Sequence, residues 1–479
     1  MPDWLFSTWY WFGGAAIVAA DLCATAHVIL NKRDTQATIG WAGLIWFAPG
    51  IGSALYYFFG INRIERKAKR LRRRFRRKSD SLSSSGTENS IPLFVGHLAP
   101  QVQLVGALTG LTLLGGNTIR PLHTGAEAYA EMLGAIDGAI SSIGMSTYLF
   151  DNDTVGKRFI DALGRAVARG VAVRVLLDDI GVRYSLPWTV VRPLRRAGVE
   201  VTRFLPQLLP WYFTYANLRN HRKLLIVDGK IGFTGGMNIR AAHDMSLNPK
   251  SSIIDIHFRL DGPVVAHLRE TFADDWEFCT RTPLRGKVWF PELVECGSIF
   301  ARGIRTGPDD EFKRLQAVYL GALSIARSSV RIVTPYFLPD EALIAGLNVA
   351  ALRGVKVDIV LPEQNNLRLV HWACMGQIWQ LLEHGCRVWL TPPPFSHKKL
   401  MIVDRTWVLF GSSNWDPRSL RLNFEFDIEC YDPALASLMD DEITQTIGRS
   451  KELTSIKLRR RNLLVKLRDG LARLLTPYL

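Results

Sequence analysis

Cysteine is scarce and unpaired: Cys23, Cys279, Cys296, Cys374, Cys386 and Cys430 are the only six in 479 residues, and none forms a Cys-x-x-Cys pair. That argues against a disulfide framework and against a zinc site, and leaves them as small core residues. A basic leader is also missing, because Met1-Pro2-Asp3 precedes an apolar run too long for a cleaved signal peptide. Charge is absent from Ala37 to Phe59, 23 residues, and nearly absent from Trp4 to Ile29, 26 residues. Each run is long enough to span about 30 Å of hydrocarbon. The turn Asn31 to Thr35 between them is short, so residues 1–60 are expected to form a two-helix transmembrane hairpin, with Trp4, Trp9, Tyr10 and Trp11 as an interfacial belt. Asp21 and His27 fall inside the first span; His27 lies near its end, Asp21 is expected to pair or to face a helix neighbour, and neither is expected to catalyse.

Acidic residues are in deficit, 44 against 59 basic, but the excess is local. Residues 61–78 carry eleven Lys or Arg against Glu65 alone, residues 455–479 carry seven against Asp469, and the remaining body is close to neutral. The first cluster abuts a transmembrane run. A role at anionic lipid, at about 1 kcal/mol per basic residue, therefore suits it better than nucleic-acid binding. By the positive-inside tendency it also places the larger C-terminal part on the cytoplasmic side. Ser79 to Ser90 reads as a flexible linker, so residues 61–90 join the hairpin to the soluble part. At the other end, residues 451–479 intersperse leucine with basic residues in the manner of an amphipathic helix, which either lies on a membrane or packs its stripe on the body.

Between these segments the chain repeats itself. Ser142 to Phe150, Thr154 to Arg169 and Val171 to Leu177 alternate strand, helix and strand; Val330 to Thr334, Asp340 to Leu352 and Val355 to Leu361 do the same. The fold class is α/β, with two duplicated domains at 91–290 and 291–450. The Pro-interrupted apolar stretch Phe204 to Tyr215 is either core or a loop that meets lipid chains.

Each half ends in one chemical pattern. His221 is followed two residues later by Lys223, seven later by Asp228 and seventeen later by Asn238; His397, Lys399, Asp404 and Asn414 keep the same spacing. A single His-x-Lys is more often a solvated strand end, but two copies with matching Asn and small residues are hard to obtain by chance. Alternation along a strand puts each His and Lys on one face. Gly236 and Ser412 are small enough to let backbone and an Asn amide approach a ligand. An imidazole as nucleophile or acid, with Lys and Asn donors, suits a phosphodiester.

With these motifs in place the sequence resembles the phospholipase D superfamily and, within it, the bacterial cardiolipin synthases. The likeness also covers Arg219 to Lys223, Thr334 to Asp340, and Gly411 to Ser419 leading to Glu425. It departs at Ile253-Ile254-Asp255-Ile256-His257, where the family usually has Trp-Arg-Asp-Thr-His. The resemblance implies one active site shared by the two halves, with catalytic His221, Lys223, Asp228, His397, Lys399 and Asp404. It implies Asn238, Asn414, Gly236 and Ser412 at the substrate. Glu425, eleven residues after Asn414, would orient a histidine; Pro249 has that offset from Asn238, so Asp255 is the expected substitute. The two Asp of the motif are expected to brace the site. No metal and no cofactor are required, since the lysines supply positive charge. The implied reaction condenses two phosphatidylglycerol molecules to cardiolipin and glycerol through a phosphatidyl-histidine, at the cytoplasmic face of the bacterial inner membrane. Phosphatidylglycerol and other anionic lipids are the expected partners, nucleic acid is not, and a homo-oligomer is left open. Competing readings are a phospholipase D hydrolase, a head-group transferase using another alcohol, and a non-catalytic anionic-lipid scaffold.

Overall fold

The repeated βα runs become equivalent strands of one sheet. The structure, a computed structural model, describes residues 3–32, 35–60, 93–206, 218–247, 252–307 and 313–476. They fall into two units, one within residues 3–60 and the other made of the remaining described residues. The basic run 63–78, the Ser-rich stretch 79–90 and most of the apolar stretch 204–215 lie outside the described residues.

In the larger unit the first half contributes β1 (Leu114–Leu122), β2 (Ser142–Thr147), β3 (Ala172–Asp178), β4 (Glu200–Phe204), β5 (Leu224–Val227), β6 (Ile231–Gly235), β7 (Ile253–Ile254) and β8 (His257–Asp261). The second half contributes β9 (Ile299–Thr306), β10 (Ser329–Val333), β11 (Lys356–Pro362), β12 (Arg387–Thr391), β13 (Phe395–Ser396), β14 (Leu400–Val403), β15 (Trp407–Gly411), β16 (Glu425–Tyr431) and β17 (Lys451–Leu453). Fifteen of these strands make one sheet in the order β17-β12-β11-β10-β14-β15-β16-β9-β1-β8-β6-β5-β2-β3-β4. Read outward from β1 and β9, the two halves match strand for strand as far as β4 and β12, beyond which β17 adds one edge strand to the second half. Only β2-β3-β4 and β10-β11-β12 are parallel; the other pairings within the sheet are antiparallel.

The sequence explains the strands at the centre of each half. Leu224 to Val227 and Leu400 to Val403 are buried at every position. A strand covered on both faces needs a continuous apolar run, and each such side chain contributes about 1.5–3 kcal/mol on burial. The helices that cover the sheet start at matching caps: Asp153 accepts the Gly156 N–H, and Asp340 accepts the Leu343 N–H.

Chain order and packing part company at one place. The helix Ala99–Thr109 falls in sequence within the expected first domain, 91–290, yet Val95, Leu98, Val102 and Val105 sit in the core of the second half with Val318, Tyr319 and Leu323. Gln101 fixes this by donating to the Val318 carbonyl at 2.9 Å.

The smaller unit holds a helix Asp3–Asn31 and a second segment in three pieces, Thr35–Phe47, Ile51–Leu55 and a π-helical turn Tyr56–Gly60. Among the described residues only Trp11–Asn31 is long and apolar enough to cross a membrane. The expected second span is therefore not one continuous helix. Pro49 has no N–H to continue the ladder, and Gly50 takes φ 76°, a left-handed value. Asp21 bridges the break. Its carboxylate accepts the Gly50 N–H at 3.1 Å and the Ser53 hydroxyl at 2.5 Å, so the acid expected to find a helix neighbour caps the helix that restarts there.

Candidate active site

Both copies of the motif enter their strands in the same way, held by backbone from the other half. The His221 N–H donates to the Phe424 carbonyl at 2.9 Å, and the His397 N–H donates to the Ile254 carbonyl at 2.7 Å. Phe424 and Ile254 immediately precede Glu425 and Asp255. Each histidine is thereby delivered to a carboxylate of the opposite half: His221 Nδ1 meets Glu425 Oε2 at 2.9 Å, and His397 Nδ1 meets Asp255 Oδ2 at 2.7 Å. The orienting pairs are crossed. In both, Nδ1 is occupied by the acid and Nε2 is left for chemistry.

Asp255 and Glu425 are equivalent in space although not in offset. The Gly236 N–H donates to the Ile256 carbonyl and the Ser412 N–H to the Phe426 carbonyl, which registers residue 255 with residue 425. Asp255 follows Asn238 by seventeen residues rather than eleven because the connection through Ala241–His243 is six residues longer.

The lysines lie beside the rings. Lys223 Nζ donates to the His221 carbonyl at 2.7 Å; Lys399 Nζ donates to the His397 carbonyl at 2.7 Å and lies 3.1 Å from His397 Nε2. Burial pushes both ammonium groups down, Lys223 to about 7 and Lys399 to about 8, with Glu425 and Asp255 opposing the shift. Burial likewise pulls both imidazoles below their ordinary value, His397 further, and each lysine adds its repulsion. The carboxylates differ. Burial raises both, but His221 and Ser412 bring Glu425 back below the usual range, whereas Asp255 stays above it. Glu425 has more donors: the Ser412 and Ser419 hydroxyls at 2.6 and 2.9 Å and the Asn423 amide at 3.1 Å. Together these groups form an anion-receiving pocket with two imidazoles, each of which can take a proton at Nε2 and, once protonated there, give it back.

The family described as cardiolipin synthase, PLD-like domain, matches residues 132–276 and 319–447, which is more than half of the chain. The chain belongs to this family. A phospholipase D-nuclease N-terminal family matches residues 19–60. The major cardiolipin synthase ClsA of Bacillus subtilis is 30% identical over 96% of this chain and 97% of its own length. A cardiolipin synthase of Staphylococcus aureus is 29% identical over 96% and 94%. Among solved structures, phosphatidylserine synthase from Haemophilus influenzae superposes with a TM-score of 0.59 at 16% identity, covering 79% of this chain and all of that one. The chain is accordingly an enzyme of the phospholipase D superfamily, and the duplicated α/β fold is shared with that structure.

Within this cardiolipin synthase-family site not every expected residue faces the pocket. Asp228 and Asp404 sit at the far ends of β5 and β14, both at φ 53°. Asp228 accepts the N–H groups of Ile140, Ser141 and Ser142; Asp404 accepts those of Arg327, Ser328 and Ser329 and the His97 ring. They brace the turns at these strand ends. Gly236 and Ser412 lie against the orienting acids. A Cβ on Gly236 would stand 2.2 Å from Asp255 Oδ1, and Ser412 donates to Glu425. Asn238 and Asn414 are buried: Asn238 Oδ1 accepts the Leu149 N–H at 3.1 Å, while Asn414 Oδ1 has no protein partner among the described residues.

Sequence reasoning missed three neighbours. Tyr148 meets His221 edge-on at 5.1 Å between centroids, and Tyr336 meets His397 in the same way at 6.2 Å. His243 is buried 6.4 Å from the His397 ring, with Nε2 toward the Asn238 N–H and Nδ1 without a partner among the described residues. The available signal was offset: His243 follows Asn238 by five residues, as Ser419, a ligand of Glu425, follows Asn414.

Proposed function

We propose that the chain is a membrane-bound phosphatidyltransferase that condenses two phosphatidylglycerol molecules into cardiolipin and glycerol. The observation that carries the reading is the crossed pair of histidine–carboxylate contacts, 2.9 Å for His221–Glu425 and 2.7 Å for His397–Asp255, flanked by Lys223 and Lys399. Similarity to cardiolipin synthases along nearly the whole chain supports the substrate class.

In the first step His221 Nε2 attacks the phosphorus of phosphatidylglycerol and the bond to the head-group glycerol breaks. His397, entering this step protonated at Nε2, gives that proton to the departing oxygen, leaving phosphatidyl-His221 and free glycerol. In the second step His397 takes the proton from the terminal hydroxyl of another phosphatidylglycerol, whose oxygen displaces His221 and closes the cardiolipin phosphodiester. Lys223, Lys399, Asn238 and Asn414 hold the non-bridging oxygens as charge builds. The different hold on the two acids favours this division of labour. Glu425, held below the usual carboxylate range by His221 and Ser412, supports His221 as the nucleophile; Asp255, raised by burial, suits a histidine that trades a proton. The apolar N-terminal helix supports membrane attachment, and the basic run 63–78 supports a cytoplasmic site.

The test is trapping. With labelled phosphatidylglycerol, His397→Ala is expected to accumulate label on His221, and His221→Ala to carry none. Label on His397 in the His221→Ala protein reverses the roles. Phosphatidic acid without cardiolipin from the native protein replaces transfer by hydrolysis.

A further inference from the structure

The C-terminal helix Leu463–Leu474 is turned the opposite way from a helix that packs its apolar stripe on a body. Its buried positions are Asp469 and Ala472, while Leu463, Leu464, Leu467, Leu471 and Leu474 are 55–73% exposed. At about 100° per residue these leucines occupy a single stripe, with Asp469 on the opposite side. The buried acid fixes the orientation. Asp469 is paired with Arg461 and Arg468 at 2.8 Å each, and Arg468 lies over the Trp372 ring at 4.4 Å. Gly376 lets the two backbones close up, since a Cβ there would stand 2.6 Å from the Asp469 carbonyl. Rotating the leucines inward would expose this ion-pair cluster's anchor and strand Arg461 and Arg468 beside apolar groups.

We infer that this outward leucine face is a docking surface for an anionic lipid bilayer. Exposed basic residues flank the stripe, Lys466 and Arg473 on one side and Arg468 on the other, with Arg459 and Arg460 just upstream. The only acidic residue from 455 to 476 is the buried Asp469, so the rim is uniformly positive. An apolar stripe between basic flanks is what lies in the headgroup layer of an anionic membrane, leucines in the acyl boundary and long cations at the phosphates. A second copy of this face would bring the same positive flanks together, which disfavours self-association. The surface also leads toward the site. Helix Arg368–Gln377, on which the C-terminal helix packs, follows the exposed Leu367 and Asn366; Asn366 accepts the hydroxyl of Tyr336, the ring beside His397.

The experiment places a nitroxide at Leu467→Cys in the full chain, with exposed Cys23 and Cys296 replaced by serine, reconstituted into phosphatidylcholine vesicles with or without phosphatidylglycerol. In the anionic vesicles the ratio of oxygen to nickel-chelate accessibility is expected to rise several-fold, and high salt to reverse it. A label equally water-exposed in both vesicles overturns the inference. So does lipid exposure that is independent of phosphatidylglycerol, or burial that grows with protein concentration and reveals a second copy. The readout requires no turnover, so the same measurement on His221→Ala separates this surface from the transfer reaction proposed above.

Discussion

At the residue scale, the two halves of the site are alike in geometry and unlike in electrostatics. Glu425 accepts from two hydroxyls, an amide and His221; Asp255 accepts from the Ile256 N–H and His397. Neutralising either acid removes the charge that orients its own imidazole. Glu425→Gln is expected to slow formation of the proposed histidine adduct by about 10²–10⁴-fold, the usual worth of acid–base assistance. Asp255→Asn should also slow its discharge to the second alcohol; single-turnover kinetics resolve the two steps. The lysines set the alkaline limb. With Lys223 pushed to about 7 and Lys399 to about 8, kcat/KM is expected to fall as pH rises across that window. The limb in kcat should lie higher, because a bound phosphodiester anion keeps the ammonium groups charged. Stability responds with the opposite sign. Above about 7 the unfolded chain, with lysines near 10.5, binds more protons than the folded one, so stability contributed by these groups rises with pH toward the unfolded lysine range. Parallel pH series of initial rate and urea midpoint check both directions.

At the scale of single elements, the turns after β5 and β14 show how a motif residue can be essential in pattern and remote in space. Burial pushes the Asp228 and Asp404 carboxyls up, but three backbone N–H groups at each outweigh it and hold them below the ordinary carboxylate range. Their contribution is therefore present above the unfolded carboxylate range and lost as pH falls through the lower folded value. Asp228→Asn and Asp404→Asn are each expected to cost about 2 kcal/mol, typical of hydrogen bonds to a charged group, with turnover per folded molecule retained. Urea unfolding and active-site titration by trapped label distinguish this from a catalytic loss. The motif shows that an Asp stands five residues past the Lys; which end of the strand it serves is a matter of strand length, about 3.3 Å per residue.

At the scale of the whole catalytic unit, the site exists only where two chain segments cross. The sheet is continuous through β1 and β9, and each histidine borrows its carboxylate from the other half. Cutting the chain between the helix Val265–Thr280 and β9 is expected to leave neither fragment active, each holding one imidazole and the wrong acid. Co-expressed fragments should recover phosphatidyl transfer, because the exposed edges of β1 and β9 and the buried pair Arg222–Asp275, whose arginine also reaches the Glu425 carbonyl at 3.0 Å, specify reassembly. Product analysis after co-purification decides it; full activity of either fragment alone would sink the shared-site reading.

The sequence by itself determined the duplication, the strands Leu224–Val227 and Leu400–Val403, and the His, Lys and Asn of each motif. Those features live in local spacing, where side-chain alternation and apolar runs leave little freedom. Glu425 and Asp255 were identifiable as acids, but their crossed assignment was not, because partner choice depends on which loop returns to which strand. Tertiary packing alone decided that Gly236 and Ser412 serve the acids and that His243 enters the pocket, by bringing a longer connection back onto the site. It also decided the facing of the C-terminal helix. Periodicity reports a stripe but not its direction, and here the buried Asp469 ion pairs turned the leucines outward.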